Sequence, residues 1–116
     1  LVLGVTYKRD IDDIRESPAL DIMDRLFEKG ADLTFHDAYV RSVETDTFGL
    51  VSISDGDLAQ GLTDADCVVI VADHTYYDWQ RVREKATLIV DTRNALGDSL
   101  PKPAASLHDE TLACGQ

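Results

Sequence analysis

The sequence predicts an α/β fold: an open, mostly parallel sheet in a three-layer arrangement, with helices on both faces. Three observations lead there. Short apolar runs at residues 1–6, 67–72 and 87–90 are nearly continuous, as in strands covered on both sides. Between them lie stretches whose apolar residues recur at helical spacing. Polar, highly charged connections separate the two kinds of segment.

Each element has its own signal. Residues 1–6 open as a strand already under way, which suggests a fragment or trimmed chain. Residues 7–16 are highly charged and read as a loop. Ser17-Pro18 then marks a helix start, a hydroxyl N-cap followed by proline at the first helical position. Ala19, Ile22, Met23, Leu26 and Phe27 form the buried stripe of that helix, and Gly30 ends it. Residues 32–36 read as a second strand, 37–47 as a polar connection and 50–53 as a third strand. Leu58, Ala59, Leu62 and Ala65 predict a modest amphipathic helix interrupted by Gly61. Residues 67–72 are the strongest strand signal, and Trp79, Val82, Arg83 and Ala86 mark a short helix after Asp78. Residues 87–90 form a last strand that ends in Asp91-Thr92-Arg93-Asn94. From Gly97 onward, Pro101, Pro103 and small residues predict irregular structure, with 98–116 a weakly determined tail. The alternation is Rossmann-like, and 1–116 is expected to be one domain.

The chain carries 22 acidic and 11 basic residues, a net charge of −11. Such a surface repels nucleic acid and anionic lipid, so neither is expected as a partner. No apolar run approaches the roughly 20 residues of a membrane helix. The two cysteines, Cys67 in a strand and Cys114 near the end, form no disulfide framework, which suits a cytoplasmic protein.

Right-handed crossovers place all strand carboxyl ends on one edge of a parallel sheet, where such sheets bind ligands. Lys8, Arg9 and Arg15 follow the first strand and Arg93 the last, so four bases converge on that edge. Phosphate binding explains such a gathering, arginine as a bidentate fork and lysine as a point charge. Local pairing with Asp10, Asp12, Asp13 and Asp91 explains it equally simply. No G-x-G-x-x-G or G-K-[ST] loop is present, so this is not expected to be a dinucleotide-binding half. The pairs His36-Asp37 and Asp73-His74 each end a strand, but no tight spacing supports a metal site, and His74 is expected to pack at a rim or interface. Cys67 is expected to be buried, with no activating partner.

The stretch from Leu3-Gly4 through Tyr7-Lys8, the acidic run and Arg15-Glu16-Ser17-Pro18 resembles the opening of the C-terminal domain of UDP-sugar 6-dehydrogenases. The likeness continues through His36-Asp37, the strand ending at His74 and Asp91-Thr92-Arg93-Asn94, over about residues 1–97. Ala38 departs from it, standing where the family usually has proline. Asp73-His74 and the Asp91–Asn94 turn look most like the branch acting on UDP-N-acetylhexosamines, with UDP-glucose enzymes close by. The resemblance implies a UDP-binding domain of a larger enzyme that oxidises the sugar C6 alcohol to the acid with two NAD. It implies a thioester on a cysteine that neither Cys67 nor Cys114 matches, so this domain alone is expected to be inactive. It also implies that Tyr7, Lys8 and Arg93 contact the UDP-sugar substrate and that Arg15 reaches NAD. The partners it implies are an N-terminal NAD-binding domain and a central helical domain of the same polypeptide, in a homo-oligomer.

Two other readings remain. A receiver-like signalling module needs an acidic pair, which Asp12-Asp13 imitates, and a lysine after the last strand, where Arg93 stands instead. A structural oligomerisation domain predicts no effect of nucleotide on melting.

Overall fold

A computed structural model describes residues 1–97. The elements are β1 (Val2–Leu3), α1 (Pro18–Glu28), β2 (Phe35–His36), β3 (Ser42–Glu44), β4 (Gly49–Val51), α2 (Leu58–Asp64), β5 (Val68–Ile70), α3 (Trp79–Lys85) and β6 (Ile89–Asp91). Four of the strands form one parallel sheet in the order β2-β1-β5-β6. The three-layer expectation holds. The tail expected at 98–116, with Cys114, lies outside the described residues.

Alternation along the strands divides the core. Val2 and Phe35 face one way and, with Val5 and Val71, pack against Ala19 and Met23 of α1. Leu3, Val68, Ile70 and Ile89 face the other way, onto Leu62 of α2, Val82 of α3 and Ala86 at the end of α3. Ser17 caps α1 as its sequence position implies: its Oγ accepts the Ala19 N–H at 3.1 Å and donates to the Thr6 carbonyl at 3.2 Å. Gly30, at φ +92°, ends the same helix in a conformation that costs glycine little. Asp78 caps α3 in turn, accepting the Arg81 N–H.

The third strand is a correction. Residues 49–51 pair antiparallel with β3 in a separate two-stranded sheet, so they form a hairpin and add nothing to the parallel sheet. Its apolar residues Val43 and Phe48 pack on the α1 side of the core. The stretch expected to be a polar connection thus holds a strand, whose Val43 is buried between exposed Ser42 and Glu44. Cys67 is half-buried rather than buried. Among the described residues, no helix is long and apolar enough to cross a membrane.

Candidate functional site

The carboxyl edge of the sheet is built by three chain segments that lock into one another. Gly4 begins the first. A Cβ there would sit 2.5 Å from the Ala72 carbonyl oxygen, and φ is +82°, so only glycine lets β1 and β5 approach this closely. Val5 and Thr6 stay buried, and the chain then emerges at Tyr7, a residue 49% exposed. The Tyr7 N–H donates to the Asp13 carbonyl at 2.7 Å, closing the loop on itself.

The second segment follows β6. Asp91 accepts the N–H groups of Arg93, Ala95 and Leu96, which folds the turn. Thr92 Oγ1 donates to the Ile70 carbonyl at 2.6 Å, fastening the turn to β5. Arg93 Nε donates to the Val71 carbonyl at 2.8 Å and Nη2 to the Tyr7 carbonyl at 3.0 Å. Asn94 takes the left-handed conformation at φ 57°. The Asp-Thr-Arg-Asn run is therefore a turn in which each residue has a separate structural task.

The four bases meet different fates. Arg15, 86% exposed, forks onto Asp13 with Nε and Nη2 at 3.0 and 2.9 Å. Those hydrogen bonds hold the Asp13 carboxyl at about 2. Arg9 pairs with Asp73 at 2.7 Å. Arg93 spends part of its donor set on carbonyl oxygens, and only its backbone N–H reaches Asp91. Lys8 is exposed, and its ammonium makes no ion pair with a described residue. Local charge pairing thus accounts for Arg9 and Arg15 but not for Lys8 or Arg93. The bond from Arg93 to the Tyr7 carbonyl ties its guanidinium to the backbone next to Lys8.

The third segment follows β5. His74 is a correction: it does not pack at a rim but is fully buried beneath the loop. Its Nε2 lies 3.0 Å from Asp37 Oδ2 and its Nδ1 accepts the Asp10 N–H at 2.8 Å. Asp37, at the end of β2, also accepts the N–H groups of Val5, Tyr39 and Val40. Burial alone raises the Asp37 carboxyl, but the hydrogen bonds from His74, Val5 and Tyr39 outweigh it and leave it below the usual range. His36 is likewise occupied, by Tyr77 at 2.8 Å and Asp55 at 2.7 Å. The fold thus re-partners the two strand-end pairs: Asp37 bonds His74, while His36 turns to Asp55 and Asp73 to Arg9. Among the described residues, no group of three or more His, Cys, Asp or Glu has the arrangement of a metal site.

Residues 1–98 match the UDP-binding domain of the UDP-glucose/GDP-mannose dehydrogenase family. The chain belongs to that family. It is 32% identical over 111 residues to a UDP-N-acetyl-D-mannosamine dehydrogenase of Methanococcus vannielii, an alignment covering 89% of this chain and 24% of that protein. It is 33% identical over 101 residues to a UDP-glucose 6-dehydrogenase of Rickettsia bellii, covering 82% and 23%. Among solved structures, the UDP-N-acetyl-mannosamine dehydrogenase from S. aureus matches with a TM-score of 0.62 and 30% identity, over 93% of this chain and 25% of that one. A UDP-N-acetyl-mannosamine dehydrogenase from Pyrococcus horikoshii has the same fold, with a TM-score of 0.70 at 24% identity, over 96% and 25%. The chain spans about a quarter of the length of these relatives.

Within this family domain, Tyr7, Lys8 and Arg93 are brought together by the fold, and Arg15 stands farther along the same loop. Sequence reasoning named Asp37, Asp73 and His74 only as strand-end residues and missed their role, with Thr6 and Thr75, in holding this loop. Their polar character at strand ends was visible, but each partner lies too far along the chain for spacing to reveal it.

Proposed function

We propose that this domain holds the UDP moiety of a nucleotide sugar in a longer NAD-dependent 6-dehydrogenase, which oxidises the C6 alcohol of a UDP-N-acetylhexosamine, or of UDP-glucose, to the uronic acid. The single observation that carries the reading is the Arg93–Tyr7 bond, which holds a guanidinium on the backbone just before Lys8, an exposed base with no ion pair to a described residue, in a family UDP-binding domain. The Lys8 ammonium supplies a mobile positive charge for the diphosphate. Arg93 supplies directional N–H donors from a guanidinium already held in place by two carbonyls. The half-exposed Tyr7 ring borders the same spot. Fixing the nucleotide at this distance from the reacting carbon is positioning, which converts binding into rate.

NAD is the implied cofactor, and the start of α1 argues against this domain cradling it. A dinucleotide pyrophosphate needs free amides at a glycine-rich helix start. Here Pro18 offers no N–H and the Ala19 N–H is taken by Ser17. In this reading NAD would be held by the N-terminal domain of the same polypeptide, and two NAD would supply the hydride acceptors for the alcohol-to-acid oxidation. Arg15, highly exposed and oriented by Asp13, reaches toward it across the domain boundary. The isolated domain then has no dehydrogenase activity. The full-length protein is read as a cytoplasmic homo-oligomer.

Titration of the full-length protein with UDP and, separately, NAD tests this. Lys8→Ala should weaken UDP by roughly one to two decades, the size of a lost charge-assisted hydrogen bond. Arg15→Ala should weaken NAD more than UDP. UDP binding unchanged in both Lys8→Ala and Arg93→Ala would remove the proposed site.

A further inference from the structure

The loop that carries Lys8 is fastened to the end of β5 by four polar contacts in three consecutive residues. Arg9 pairs with Asp73. The Asp10 N–H donates to His74 Nδ1. The Asp10 carboxylate accepts the Thr75 N–H at 2.8 Å and the Thr75 hydroxyl at 3.0 Å. Asp10 makes this fit by adopting φ 60°, a left-handed conformation that Asp tolerates better than most residues.

The partners of His74 define its protonation pattern. A backbone N–H can only donate, so Nδ1 is bare and accepts from Asp10. The Thr6 hydroxyl is committed to the Lys8 carbonyl at 2.7 Å, so its oxygen can only accept at His74 Nε2, 3.3 Å away. Asp37 Oδ2 also accepts there. The ring is therefore the Nε2–H tautomer, donating below and accepting above. The other groups against it are the Tyr39 ring, centred 4.8 Å away, the Tyr77 ring at 6.1 Å and the Asp10 carboxylate, 3.8 Å from Nδ1.

We propose that His74 is the positioning residue of the nucleotide site: its ring latches the β1–α1 loop to the ends of β2 and β5, and so fixes where Lys8 and Tyr7 meet a nucleoside diphosphate. The inference rests on the UDP-binding reading above. It accounts for a division of labour that spacing cannot explain. The latch directs Arg9 into Asp73 and pins the Lys8 backbone through its carbonyl, while the Lys8 ammonium makes no ion pair with a described residue.

Two conservative substitutions separate positioning from simple packing. Asparagine carries its carbonyl oxygen near the place of Nδ1, so His74→Asn keeps an acceptor for the Asp10 N–H and abandons Asp37. Glutamine carries its amide nitrogen near the place of Nε2, so His74→Gln keeps a donor for Asp37 and abandons Asp10. In the full-length protein, His74→Gln should weaken UDP about tenfold, the equivalent of one buried hydrogen bond to a positioned group. It should also speed amide exchange in the peptide spanning residues 7–13. His74→Asn should retain more UDP affinity and slower exchange, yet melt no higher than His74→Gln, because Asp37 loses its donor. Affinity that simply follows melting temperature across the two variants would overturn the latch. So would wild-type affinity in both, and if Lys8→Ala still weakens UDP, the binding reading survives that failure. Should the His74 variants not fold, Thr75→Val, at an exposed position, removes one latch contact. It should weaken UDP a few-fold and speed the same exchange, and wild-type values for both would overturn the proposal.

Discussion

Arg93 and Tyr7 lie 86 positions apart in the chain, and a single 3.0 Å hydrogen bond from guanidinium to carbonyl joins them. A residue of the turn after β6 thereby holds the backbone just before Lys8. Arg93→Lys keeps the charge and loses both the fork and the paired carbonyl contacts. UDP affinity in the full-length protein should fall about tenfold or more. Titration calorimetry measures this, and affinity equal to wild type would show that charge alone suffices at this position.

Ser17→Ala removes the cap of α1 and leaves the Ala19 N–H without its acceptor. The expected loss is about 1 kcal/mol of stability. Urea unfolding checks it, and an unchanged midpoint would mean that solvent replaces the cap without cost.

Gly4→Ala meets two obstacles at once, a left-handed φ and overlap with Ala72 backbone and side chain. The cost should be at least about 2 kcal/mol. Because the clash lies between β1 and β5, the variant should also lose UDP binding through displacement of the loop that follows. A melting temperature within a degree or so of wild type would contradict the close approach.

Asp37 gives the stability of the domain an acid limb. Its folded carboxyl titrates below the unfolded value, so the charged form is favoured in the native state. The stabilisation is therefore complete above the unfolded value of about 4 and is lost as pH falls through the folded one. Asp37→Asn should flatten that part of the curve. At neutral pH it should cost about 1–3 kcal/mol, since an amide NH2 then faces N–H donors in a buried site. Unfolding measured from pH 7 to pH 3 tests both, and parallel curves for the two proteins would assign the acid limb to other carboxylates.

What the sequence disclosed depended on how local each interaction was. The start of α1 was legible because Ser17 and Pro18 act on amides within two residues. The parallel strands were legible because Val68–Ile70 and Ile89–Asp91 are apolar on both faces save for the terminal aspartate. The hairpin was not, because β3 is three residues long and only Val43 is buried. Lys8 and Arg9 look alike in sequence, and what separates them is Asp73, 64 positions away. The burial of His74 was hidden for the same reason: its partners Asp37 and Asp10 lie 37 and 64 positions off.

Asp10, Glu16 and Asn94 are the non-glycine residues at positive φ among those described, and all three lie in the two loops at the carboxyl edge of the sheet. Asp and Asn adopt this conformation readily, whereas glutamate does so at a cost. Glu16 therefore marks where heat resistance can be raised with least harm to binding. Glu16→Asn or Glu16→Gly relieves the backbone, at an exposed position whose side chain faces solvent rather than the core. The same change at Asp10 would forfeit the carboxylate that Thr75 grips, so an engineer seeking a hardier domain should spend substitutions at the foot of the loop and leave its crest untouched.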